Sequence, residues 1–251
     1  DYVAPTLPEE PQLGEPDLLL SPDPGYLPDG TLQDDYRCLL IDQEFEEDVF
    51  IAHADIFPDR KDLVHHVIIF SVPASASEEL AERVASEEGP GYTCFGDAGI
   101  EAAHMLTGWA PGPPATPPMS GGAMRIDAGA TLVMQVHFNT TSASLAEDDE
   151  PDRSELALWT LPAGQEPDHL LTLFPVANPV LDIAAGHSES VQEALIHIPV
   201  DATVLGSAPH MHLLGSSVST EVIRPDGTTE CLTRVDPWDF NWQRSYFVPE
   251  G

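Results

Sequence analysis

The sequence predicts an all-β protein made of two β-sandwich domains. Short runs rich in Val, Ile, Leu, Tyr and Phe recur at strand length along the chain. They are separated by turn formers, and 25 prolines and 18 glycines interrupt any longer periodicity. Only one stretch reads as a helix. Short strands between turn signals, with helix nearly absent, are the pattern of sheets packed face to face.

Residues 1–33 are acidic and proline-rich, with Pro5, Pro8, Pro11, Pro16, Pro22, Pro24 and Pro28 and no sustained periodicity. Such a segment has little apolar surface to bury. It is expected to be an extended arm, on the surface or partly disordered, with Leu18-Leu19-Leu20 as an anchor. A first domain is placed at 34–141, with strands at 36–41, 49–56, 63–72 and 131–139. Pro58-Asp59-Arg60-Lys61 is a turn. Ser75-Ala76-Ser77-Glu78 resembles a capping box opening a helix over about 76–88, which Gly89-Pro90-Gly91 ends. Residues 96–130 read as loop, with Trp109 as an apolar anchor. An acidic run puts a linker at 142–155. The second domain, 156–251, is expected to hold strands at 156–161, 169–174, 190–198, 203–214, 218–224, 231–235 and 245–248, with a turn at Pro225-Asp226-Gly227-Thr228.

The net charge is −34 and Lys61 is the one lysine. That surface repels nucleic acid and anionic membranes, so neither is expected as a partner. No run is long and apolar enough to span a bilayer, so membrane insertion is not expected. The chain begins at Asp1 without a positively charged leader, which suits a processed start. Three cysteines, Cys38, Cys94 and Cys231, allow at most one internal pair and leave one over. Few cysteines with many histidines fit an extracytoplasmic metalloprotein, secreted or periplasmic.

The histidines carry the chemistry. Ala208-Pro209-His210-Met211-His212 puts two imidazoles two residues apart in a strand-like run. They would share one face, and Met211 would take the other. A lone pair of this kind is most often the solvated side of a strand. Two further segments have the same apolar setting, one with His65 and His66, the other with His137. Neutral imidazole binds copper, zinc, iron and nickel. Neighbours on a regular strand face opposite ways, so His65 and His66 reach one ion only at a twist, a bulge or a strand end. Otherwise one is a ligand and the other a hydrogen-bonded core residue. His53, His104, His169, His187 and His197 have no partner at ligand spacing and are expected to be surface or satisfied polar residues. Among them His104, with Met105 and Trp109 beyond it, is the one whose loop could approach a site.

Val64-His65-His66-Val67-Ile68-Ile69-Phe70, Met134-Gln135-Val136-His137-Phe138-Asn139-Thr140 and Pro209-His210-Met211-His212-Leu213-Leu214-Gly215, in this order, resemble the copper type II, ascorbate-dependent monooxygenases. Asp35-Tyr36-Arg37-Cys38, Tyr92-Thr93-Cys94 and Gly108-Trp109-Ala110 add to the likeness, which runs from about Asp34 to the end of the chain.

The resemblance implies two jelly-roll-like sandwich domains, each with one copper ion. His65, His66 and His137 match the ligands of an electron-transfer copper. His210 and His212 match ligands of the copper where oxygen meets substrate, and so would be catalytic. It also implies a Cys38–Cys94 disulfide with Cys231 outside it. Ascorbate or another one-electron reductant would reduce both ions. A C–H bond of a small organic substrate would be hydroxylated by O2, one oxygen atom entering the product and the other leaving as water. The family's oxygen-binding copper takes a third ligand from a Met in a Glu-Met-Cys-like segment, and no such segment precedes Gly251. The second domain is therefore expected to be incomplete. Ala208 stands where the peptide-amidating branch has an Arg, so a peptide gripped by its terminal carboxylate is not the expected substrate. The rival expectations are a copper-binding or electron-transfer protein without hydroxylase activity, and a binding module whose histidines hold zinc or nothing.

Overall fold

A computed structural model describes residues 13–111, 121–140, 145, 150–178, 180–211, 213–240 and 243–248. Among the described residues the chain is all-β with one short α-helix, and it divides into two units, the first running to Thr172. The strands of the first unit are β1 (Leu18–Leu20), β2 (Asp34–Ile41), β3 (Val49–Phe57), β4 (Val64–Val72), β5 (Tyr92–Thr93), β6 (His104–Trp109), β7 (Gly122–Ile126), β8 (Thr131–Asn139), β9 (Glu155–Thr160) and β10 (His169–Leu170). Helix α1 (Ser77–Ala85) lies between β4 and β5. One sheet runs β1-β9-β3-β7-β10 and the other β5-β2-β8-β4-β6.

Alternation places Leu39, Ile41, Leu132, Met134, Val136 and Phe138 on the inner face of the second sheet. There they join Ile51, Ile56, Ile126, Leu156 and Leu158 of the first sheet in one core. The outer face of the second sheet is divided. At one end Cys38, Phe70, Val72 and Val133 are covered by Leu80 of α1 and by Tyr92, Cys94 and Ile100. The other end carries histidines.

The covering layer is tied down covalently and by charge. Cys38 and Cys94 form a disulfide, and Cys231, in the second unit, is free and exposed. Arg37 is buried, ion-paired to Glu87 at 2.6 Å, and donates to the carbonyls of Glu88, Pro90 and Gly91. Gly91 has φ +66°, and a Cβ there would lie 2.0 Å from the Cys38 carbonyl oxygen, so only glycine fits this close approach.

The structure departs from the sequence expectations at several places. The arm is part of the fold from residue 13 onward, while residues 1–12 lie outside the described residues. β1 pairs with β9, Leu18 and Leu20 pack on the core, and the Tyr26 hydroxyl donates to Asp35. The helix begins from a 3-10 turn, Ala74–Ala76, and its N-terminus has no side-chain cap, so the capping box does not form. It ends before Glu87, whose carboxylate is drawn to Arg37 and Thr93 instead. The expected loop over 96–130 contains β6 and β7. Both complete ladders on existing strands, β6 on β4 and β7 on β3, and that pairing overrides their glycine content. β9 lies between β1 and β3, so it closes the first unit rather than opening the second.

The second unit takes up Leu173–Phe240 and, among the described residues, 244–248. Among the described residues its ladders are two antiparallel pairs. β11 (Gly206–Ser207) pairs with β14 (Tyr246–Phe247), and β12 (Val218–Ile223) pairs with β13 (Thr229–Val235). The expected turn joins β12 to β13, with the Asp226 carboxylate accepting from the Thr228 N–H and hydroxyl. Residues 190–198 and, among the described residues, most of 203–214 are not strands, because an alternating pattern extends only where a partner ladder exists.

Two outcomes follow for stability. The disulfide closes a loop with a sequence separation of 56 residues. Chain-entropy arguments put its contribution at about 4 kcal/mol, so Cys38→Ser should lower the melting temperature clearly, and unchanged melting would show that the link carries little. His53 is buried edge-to-face against Trp159, and burial lowers its pKa against a smaller opposing pull from Asp55. The unfolded chain then binds the extra proton below its value of about 6.5. His53's contribution is therefore complete above that pH and is lost as pH falls toward the folded value. Urea unfolding at pH 7 and pH 5 should show a smaller loss in His53→Phe than in the parent chain.

Candidate metal centre

Three imidazoles meet at the other end of the second sheet's outer face. Directly opposite residues of an antiparallel ladder share a face. His137 on β8 is opposite His66 on β4 and, on its other side, opposite Tyr36 on β2. The register slips between Val64 and His66: Val64 pairs with Phe138 and His66 with His137. His65 is thus the extra residue of a β-bulge, which is how two neighbours come to serve one site.

The Nδ1 atoms of His65 and His66 are 3.3 Å apart, and those of His66 and His137 are 3.4 Å apart. All three candidate ligand atoms lie within 4.8 Å of one another. Metal–imidazole bonds of about 2.0–2.1 Å place nitrogens sharing one ion about 3.3–3.6 Å apart. His66, at the hub, already has that spacing to both neighbours. His137 is buried, and His65 and His66 are half-buried. The set offers nitrogen without carboxylate or sulfur, which suits copper, zinc, iron or nickel rather than calcium or magnesium.

The surroundings hold His137 most firmly. Tyr36 stacks on it with ring centroids 4.1 Å apart and planes 9° apart, and Phe95 meets Tyr36 edge-on at 4.8 Å. Burial, and secondarily the Asp34 carboxylate, push the Tyr36 phenol above its ordinary range. Asp34 Oδ1 lies 2.9 Å from His137 Nε2 and also accepts from Asn139 Nδ2 at 2.9 Å.

Of the residues singled out in the sequence, His65, His66 and His137 come together. His210 is exposed in an irregular segment after β11, and His212 lies outside the described residues. The expected strand does not reach His210, since Pro209 has no N–H to give to a ladder. Met211 folds back over Gly215, where an added Cβ would sit 2.8 Å from its Cε. His104, His169, His187 and His197 are exposed, and His53 is the buried exception already described. Asp34, Tyr36 and Asn139 were not expected at the site. Strand spacing was the available signal: Asp34 and Tyr36 are two apart, as are His137 and Asn139, so each pair shares a face.

No protein-family model matches the chain, and no curated protein matches it.

His66→Ala should remove metal from this centre outright, since His66 is the residue at ligand spacing to both others. Metal analysis after Cu(II) loading and gel filtration would read the loss of about one ion per chain. Full retention would place the ion elsewhere.

Proposed function

We propose that the chain is a copper-dependent monooxygenase of the ascorbate-using type II class, hydroxylating a C–H bond of a small organic substrate with O2. The observation that carries the proposal is the convergence of His65, His66 and His137 through Nδ1. The order of the three histidine motifs supports it. Copper bound there would supply one-electron redox chemistry. The chain's residues would hold the ion with neutral nitrogens, while the His137 Nε2–H donates to Asp34 and Tyr36 shields one face of that ring. His210 and His212 are assigned to a second copper, the one that meets oxygen and substrate. Two electrons from ascorbate or a similar reductant balance the reaction, with one oxygen atom entering the product and one leaving as water.

A second reading is favoured by one observation. The His65 centre is assembled, whereas His210 stands exposed in an irregular segment. A protein that binds copper and passes electrons without hydroxylating would need only the first centre. An extracytoplasmic location belongs to both readings. The disulfide suits an oxidising compartment, and among the described residues no helix is long and apolar enough to cross a membrane.

Incubation of the copper-loaded chain with ascorbate, isotope-labelled O2 and a panel of small substrates separates the two. Copper-dependent label in a hydroxyl product, lost in His137→Ala, is the expected result. Ascorbate-driven reduction and reoxidation of bound copper with no labelled product would favour electron transfer alone.

A further inference from the structure

We infer that Asp34 is a positioning residue of the metal centre, which fixes the tautomer of His137 so that Nδ1 is the nitrogen offered to an ion. The inference rests on the reading that His65, His66 and His137 hold a metal. Asp34 and Asn139 are direct partners on the β2–β8 ladder, two residues along from the Tyr36–His137 pair on the same face. A carboxylate only accepts hydrogen bonds, so the 2.9 Å contact from Asp34 Oδ1 to His137 Nε2 requires the proton on Nε2. A neutral imidazole carries one such proton, and Nδ1 is left with its lone pair. It is Nδ1 that stands 3.4 Å from His66 Nδ1, on the convergent side.

Two further contacts make this a built arrangement. The Asn139 amide donates to the same carboxylate oxygen, holding a side chain that is itself partly exposed. Tyr36 lies flat against the ring and limits its tilt, while Asp34 limits its rotation. Without the carboxylate, His137 is free to carry its proton on Nδ1, where it would block the nitrogen that faces the other two imidazoles. Partners of this kind typically carry about 10–100-fold in metal affinity.

The test uses the full chain and two variants, Asp34→Ala and Asp34→Asn, the second nearly isosteric in case the first folds poorly. Long-range proton–nitrogen spectra of the metal-free protein report which ring nitrogen of His137 is protonated. Chelator competition with Cu(II) reports affinity. The expected result is Nε2 protonation in the parent chain, a population protonated at Nδ1 in the variants, and about 10–100-fold weaker Cu(II) binding. A parent tautomer unchanged in both variants, or Cu(II) affinity equal to that of the parent, would overturn the inference. A parent chain that binds no metal would defeat the metal reading instead. The tautomer measurement would still judge Asp34.

Discussion

The convergence of His65, His66 and His137 depends on one inserted residue in β4. With strict alternation, Val64 and Val67 would point to opposite faces, and so would His65 and His66. The bulge at His65 lets Val64, Val67 and Ile69 all enter the core while both imidazoles reach the outer side. Its position is held from both directions. The Leu63 and Val64 N–H groups donate to the Arg60 carbonyl, and the Asn139 N–H donates to the Leu63 carbonyl. Arg60 is itself anchored, since its N–H donates to the buried carboxylate of Asp152 and its guanidinium pairs with Asp62. The turn before β4 therefore sets where the extra residue falls, and through it the spacing of the three imidazoles.

The face that carries the centre also carries a second packed layer. Moving along β8 from His137, the next residue on that face is Gln135, whose amide donates to the Asp97 carbonyl. Beyond it Val133 is buried under the helix layer. On β2 the same steps run from Tyr36 to Cys38, and the Cys94 N–H donates to the Tyr36 carbonyl. The disulfide-linked layer thus buttresses the residue that stacks on His137. Stability of the covering layer and placement of the site are coupled through β2.

The sequence was legible where a local pattern and its partner agreed. β8 occupies the expected 131–139, and β2, β3 and β4 fall within a residue or two of expectation, because each alternates against a dense core. The bulge was among the ways His65 and His66 could share an ion. The short strands β1, β5, β6 and β7 were not legible, since they owe their conformation to neighbours distant in sequence rather than to their own composition. The Asp34–His137 bond spans 103 residues, and no local motif announces it. In the second unit, apolar alternation over 190–198 suggested a strand that joins no ladder among the described residues.

The sheet edges have a consequence for behaviour at high concentration. The first sheet ends in β1 and β10, three and two residues long, and the second ends on one side in β5, with two. A foreign strand can add only where enough backbone donors and acceptors lie in line, so edges this short offer little template for association. Around them the chain carries 43 acidic residues against 9 basic ones, and like molecules repel at close range. Among the described residues the longer edge of the first unit is β6, with six residues, and there the acidic charge, which salt would screen, is the remaining barrier.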